Sequence, residues 1–178
     1  VESAKAIGLA ATEFKNPAKT TSYGVGVIID DALMRTKDIV LALGGSSTND
    51  GGAGIAAALG VKFFDKSGET FIPTGGTLKN IEKIDVKNAQ KFNLTCMCDV
   101  DNPLCGETGA SYVFAPQKGA DYMMVKDLDD GLKHYASVIK RDVGVDVENL
   151  KGGGAAGGIA AGMVAFFNAK LTSGIDVM

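Results

Sequence analysis

The chain has 178 residues, 46% of them hydrophobic and 22% charged, which supplies a core and excludes wholesale disorder. Eighteen basic against 21 acidic side chains leave a formal charge of −3, and no basic stripe is present to neutralise phosphates along a duplex, which argues against a nucleic-acid partner. Glycine is the outlier, with 24 residues gathered in clusters, a pattern of tight turns where backbone approaches something closely.

In chain order, Ser22 to Thr36 carries helical spacing, with Val25, Ile28, Ile29, Ala32 and Leu33 on one stripe and Thr20 or Thr21 as its cap. Ile39 to Leu43 is a short apolar run of the buried-strand kind. It breaks at once into Gly44-Gly45-Ser46-Ser47-Thr48-Asn49-Asp50-Gly51-Gly52, followed by an expected helix from Ala53 to Leu59. Val61 to Phe64 and Glu69 to Ile72 flank Asp65-Lys66-Ser67-Gly68 and predict a hairpin. Leu78, Ile81 and Ile84 suggest a short helical or irregular segment. Asn93 to Val100 reads as a strand, Asp121 to Arg141 as a long helix burying Leu128, Leu132, Tyr135 and Ile139, and Ala155 to Lys170 as an apolar helix. Strands, helices and a hairpin without strict alternation predict an α/β fold: a mixed sheet with flanking helices, in a single domain over 1–178.

Cys96, Cys98 and Cys105 are an odd number crowded into a short stretch, and are expected to be inert thiols in a reducing compartment. No signal peptide opens the chain. The longest apolar stretch, Ala155 to Phe167, falls short of the ~20 residues that span a bilayer. A cytoplasmic protein without a membrane partner is the expectation. The start at Val1 and the abrupt end at Met178 suggest a piece of a longer protein.

Three segments carry candidate chemistry. A buried strand running into a polar, glycine-rich loop and then a helix is where α/β proteins place ligand sites. In that loop Gly45, Ser46, Ser47, Thr48 and Asn49 offer neutral groups for an anion, and Asp50 a carboxylate able to accept a proton or bind Mg²⁺. The bland alternative is a capped helix start. The phosphate-binding G-x-x-x-x-G-K-[ST] is absent, and the G-x-S-x-G nucleophile elbow fails because Thr48 replaces its last glycine. In Cys98-Asp99-Val100-Asp101-Asn102-Pro103, two carboxylates two residues apart at a strand end are expected to project to one side, to hold Mg²⁺ or supply a base. An Asp-Asn-Pro turn is the alternative. Gly152-Gly153-Gly154-Ala155-Ala156-Gly157 formally matches G-x-G-x-x-G, but no buried strand precedes it, so a dinucleotide site is disfavoured. His134, the sole histidine, lies off the apolar stripe and reads as a surface residue, which disfavours a Ser-His-Asp hydrolase. Gln117 and Lys118, after Phe114-Ala115-Pro116, could reach a phosphate.

Together these blocks resemble the glycerate kinase family of the bacterial type. The matching segments include Thr20-Thr21-Ser22-Tyr23-Gly24-Val25-Gly26, Gly44 through Gly54, Cys98 through Gly106, Gly109-Ala110-Ser111, Pro116 through Ala120, and Gly154-Ala155-Ala156-Gly157-Gly158. They come in the family's order and span nearly the whole chain. The resemblance implies ATP-dependent phosphorylation of D-glycerate with Mg²⁺, in a protein of two α/β lobes, one flavodoxin-like and one restriction-endonuclease-like. This chain would be the second lobe, and the missing lobe would supply part of the site. Lys15 stands where an Arg is common, and Lys151-Gly152-Gly153 replaces the more usual Pro-Gly-Ala. On this reading Asp50, Asp99 and Asp101 are candidates for the base or, in the last two cases, for the metal ligands. Gly45 through Asn49, Asn102 and Lys118 are candidates for substrate and phosphate binding. Two rivals stand beside it: a non-catalytic domain that binds a small hydroxy acid or acts as scaffold, and a nucleotide-dependent oxidoreductase.

Overall fold

A computed structural model describes residues 1–11, 13 and 15–174. Six helices and six strands make up its regular structure: α1 (Ser3–Ile7), α2 (Tyr23–Leu33), β1 (Asp38–Ala42), α3 (Ala53–Ala58), β2 (Lys62–Phe64), β3 (Thr70–Phe71), β4 (Lys83–Asp85), β5 (Asn93–Met97), α4 (Ala110–Phe114), α5 (Tyr122–Asp142), α6 (Ala155–Phe167) and β6 (Lys170–Thr172). Short 3₁₀ turns cover Leu9–Ala11, Gly75–Asn80 and Pro116–Lys118. The fold is α/β as expected, with the parallel and antiparallel pairings segregated into two sheets. One runs β1-β5-β6, all parallel, and the other β3-β2-β4, all antiparallel.

Side-chain alternation sets the parallel sheet. Ile39 and Leu41 on β1 pair in register with Leu94 and Cys96 on β5, and all four are buried, while Val40 between them faces outward. Because β1 and β5 are parallel neighbours, both of their carboxyl ends open on the same edge of the sheet. The loops leaving them, from Leu43 and from Cys98, therefore emerge side by side.

The longest helix, α5, is amphipathic as its sequence spacing predicts: Leu128, Leu132, Tyr135 and Ile139 are all buried. Asp121 caps it by accepting a hydrogen bond from the Met124 N–H at 2.8 Å, and Lys140 and Arg141 fall in the last turn, where cations oppose the helix dipole. The Tyr135 ring meets Phe63 of β2 and Phe166 of α6 with centroids 6.4 and 6.3 Å apart, joining helix, antiparallel sheet and α6 in one apolar cluster.

Several expectations need correction. The strands β4 and β6 and the helix α4 were not foreseen; each is three to five residues long, too short to display a period. The strand expected to run to Val100 ends at Met97. The last helix does not begin as a right-handed helix. Ala156, Gly157 and Gly158 are all left-handed, with φ of 53°, 68° and 89°, and the regular turns start after them. His134 is half-buried, its Nε2 2.8 Å from the Ile81 carbonyl oxygen, so it ties α5 to the segment before β4 instead of facing solvent. Cys96 and Cys105 are buried free thiols whose pKa burial pushes up to about 12, as befits inert groups. No helix among the described residues is long and apolar enough to cross a membrane.

The left-handed turn is locked to the glycine-rich loop. The Gly51 N–H donates to the Gly157 carbonyl at 3.0 Å, and a Cβ on Gly157 would lie 2.0 Å from the Thr48 carbonyl oxygen. Gly157→Ala is therefore expected to destabilise the chain by about 2–4 kcal/mol, from a backbone clash added to left-handed strain. Gly68→Ala, left-handed but with open space around it, should cost only about 1 kcal/mol. Thermal unfolding of the two variants checks the contrast.

Candidate active site

The loop after β1 is fixed from three sides. Ser47 binds the amino-terminal segment, its N–H and hydroxyl both donating to the Ile7 carbonyl at 2.8 and 2.9 Å. Its own carbonyl accepts from the Thr20 hydroxyl at 3.0 Å. Asp50 is wholly buried, and its Oδ2 accepts from the Ser22 N–H at 2.7 Å, the Ser22 hydroxyl at 2.8 Å and the Gly54 N–H at 3.2 Å. Its Oδ1 accepts from the Gly52 N–H at 3.1 Å. Burial holds its carboxyl pKa above the ordinary carboxylate value, and these donors only partly offset the rise. Asp50 thus knots the start of α2 to the start of α3, and lies behind the loop, away from open space.

Lys118 reaches the same loop from the far side. It ends the 3₁₀ turn after α4, and the chain leaves it through Gly119 at φ 99°, where a Cβ would sit 2.3 Å from the Lys15 carbonyl oxygen. The Lys118 side chain is buried, at 3% exposure, and its Nζ donates to the Thr48 carbonyl at 2.7 Å and the Ser46 hydroxyl at 3.3 Å. Both acceptors are neutral, and none of the ion pairs among the described residues involves this lysine. Burial accordingly lowers its pKa to about 8, with the Asp50 charge opposing the fall. Beside it, Thr48 Oγ1 and Asn49 Oδ1 are buried with no hydrogen-bond partner, although the Asn49 amide donates to the Ser111 hydroxyl at 3.0 Å.

The loop after β5 faces this group. Asp99 is exposed, and its Oδ1 accepts from the Gly174 N–H at 2.9 Å and the Ser173 hydroxyl at 3.2 Å. Between the two loops lies a cavity of about 360 Å³, the size range of small-ligand sites. Its polar wall includes Ser46, Asp99, Gln117 and Lys118, and its apolar wall Leu43, Phe114 and Ala156. It sits outside the carboxyl ends of two adjacent parallel strands, where open α/β sheets bind ligands.

Of the residues singled out from sequence, Gly45, Ser46, Asp99 and Lys118 line this cavity. Ser47, Thr48, Asn49 and Asp50 are buried behind it. Asp101 turns away to line a separate depression and pairs with Lys151 at 3.3 Å, both side chains being largely exposed. The two carboxylates therefore do not share one face, because the strand stops two residues before Asp99 and its alternation stops with it. Asn102 braces its own loop, its amide donating to the Thr108 carbonyl at 2.8 Å. Among the described residues no three His, Cys, Asp or Glu side chains gather as a metal cage. Asp99 nevertheless suits a magnesium ion arriving with phosphates, since Mg²⁺ usually takes one or two protein carboxylates plus substrate oxygens. Sequence reasoning missed Leu9, Leu43, Phe114 and Ala156 as lining residues. Only Leu43 and Ala156 carried a signal, the first by adjoining one glycine-rich motif and the second by lying within the other.

The glycerate kinase family model matches residues 1–178. Over its full length the chain is 43% identical to a glycerate kinase of Halalkalibacterium halodurans and 44% identical to a glycerate 2-kinase of Escherichia coli K12, and it covers 49% of each of those proteins. The chain thus spans about half the length of these curated relatives. A crystal structure from Salmonella typhimurium LT2, assigned to glycerate kinase 2, superposes with a TM-score of 0.96 at 44% identity, over 99% of this chain and 49% of that one. With the family model running from the first residue to the last, the chain belongs to the glycerate kinase family.

Proposed function

We propose that this chain forms the second lobe of a two-lobe glycerate kinase, contributing the phosphoryl-transfer end of a site that takes ATP and D-glycerate. The observation that carries the reading is Lys118. A buried ammonium held by two neutral acceptors, on the wall of a cavity at the strand ends, keeps a third N–H and a charge that no carboxylate contacts directly. An anionic ligand is the partner such a group calls for. The transferred phosphate, or the acid's carboxylate, would supply that charge, with the Ser46 hydroxyl and Gln117 as further polar contacts.

Asp99 is the carboxylate on the cavity wall and is assigned the acceptor hydroxyl's proton or an oxygen on Mg²⁺, which when bound would neutralise charge on the phosphates. Asp50 is assigned a positioning role, because all its hydrogen-bonding neighbours are donors and none of its oxygens reaches the cavity. Asp101, already paired with Lys151, is left outside the chemistry. A pure scaffold would leave Lys118 without an anion to bind, whereas a non-catalytic hydroxy-acid binder would supply a carboxylate and is separated from the kinase by turnover of the full-length protein.

In the full-length protein, Lys118→Met should lower kcat/KM at least ~100-fold, the cost of removing one preorganised donor from a charged transition state. Its stability should change in a distinctive way. Because the folded pKa of about 8 lies below the ordinary 10.5, the unfolded chain holds the proton more tightly between those values. Wild-type stability therefore climbs as pH rises through that window, and Lys118→Met removes the climb. Denaturant unfolding at several pH values reads both.

The two aspartates should separate. Asp99→Asn is expected to lower kcat by about 100-fold or more with little change in melting temperature. Asp50→Asn should instead cost about 1–3 kcal/mol of stability, since its amide would point a donor at a donor. Asp50→Asn with native stability, or Asp99→Asn with native turnover, would reverse the assignments.

A further inference from the structure

Twelve glycines adopt positive φ, and only two other described residues do so, Ala156 and Asn168. Asn168 needs no special account: it ends α6, and asparagine tolerates the left-handed region. Ala156 has no such reason. At φ 53° and ψ 45° its Cβ is strained where glycine would not be. Gly157 and Gly158, the next two residues, are glycine for steric reasons, because a Cβ on either would collide with Thr48 or Leu104. Position 156 is thus the one place in the left-handed turn where a methyl group has been kept despite its conformational cost. Ala156, half-buried and packed on one side against the main apolar cluster, also lies on the wall of the cavity that holds Lys118 and Asp99. Strain retained at a ligand-facing position points to a role for the strained group.

We propose that the Ala156 methyl group is a specificity determinant: it fixes the apolar wall against which the acceptor's carbon chain lies, and so limits the acceptor to a short, unbranched hydroxy acid. The proposal rests on the kinase reading above. A rigid left-handed turn, locked by the Gly51 to Gly157 hydrogen bond, cannot retreat to admit a larger acid. A glycine at this position would leave a methyl-sized gap on that side, and one methylene in an apolar pocket is worth roughly 10- to 200-fold in discrimination.

The test uses Ala156→Gly in the full-length protein. The inhibition constant of a four-carbon dihydroxy acid is measured relative to the KM for D-glycerate, alongside the melting temperature. The proposal expects the four-carbon acid to gain about 10-fold or more relative to glycerate, while the melting temperature holds or rises by ~2–4 °C as strain is released. A relative affinity unchanged within about twofold overturns it. So does a clear fall in melting temperature, which would make the methyl a packing group. Lys118→Met, measured in parallel, separates the two levels of the argument. If it leaves turnover intact, the cavity reading itself fails; if it abolishes turnover while Ala156→Gly changes nothing, only the methyl's role is lost.

Discussion

The buried carboxylate of Asp50 holds the site in place. Three backbone N–H groups at the starts of two helices, with the Ser22 hydroxyl, converge on its two oxygens inside the protein. Each of those donors, left unmatched, would cost about 1–3 kcal/mol. A single neutral acceptor could not satisfy them all, whereas a carboxylate offers two oxygens that accept together at the helix amino-terminal ends. The loop from Gly44 to Gly52 is thereby pinned at its far end, and Ser47 pins its near end to the amino-terminal segment. Ser46, next to the Ser47 pin, and the Thr48 carbonyl, between the two pins, are thereby held at a fixed distance from Lys118.

The same loop is clasped from a third direction by the left-handed turn before the regular part of α6. Gly157 and Gly162 approach it so closely that a Cβ on either would fall 2.0 or 2.2 Å from a loop carbonyl oxygen. Glycine is a matter of contact distance at both positions, and of φ as well at Gly157. The result is a cavity lined in part by Gly44 and Gly45 of the loop, with Lys118 and Asp99 supplying charge and Ala156 and Phe114 apolar surface.

Much of this was legible in the sequence, and the limits are physical. The apolar run of β1 and its collapse into glycines announced a strand-end ligand loop, and the long period of α5 announced its buried face. Strands and helices of five residues or fewer, such as β6 and α4, left no period to read. A polar loop gives no sign of which side chains turn inward, and the burial of Asp50 depends on Ser22, 28 residues earlier in the chain. Asp99 and Asp101 read as sharing one face only when alternation is extended past the end of β5. Ala156 sat inside a run read as helix, and nothing in alanine's chemistry advertises a left-handed backbone.

Lys118 is where fold and proposed chemistry meet, since the same burial that depresses its pKa leaves its charge for a ligand to neutralise. The most direct measurement is its titration in the chain carrying isotopically labelled lysine, followed by side-chain NMR from about pH 6 to about pH 11, with assignment by Lys118→Arg. The account predicts a midpoint near 8 for the free chain and an upward shift when inorganic phosphate is added, because a bound anion favours the ammonium form. A midpoint at the ordinary lysine value of ~10.4, or one indifferent to phosphate, would contradict it.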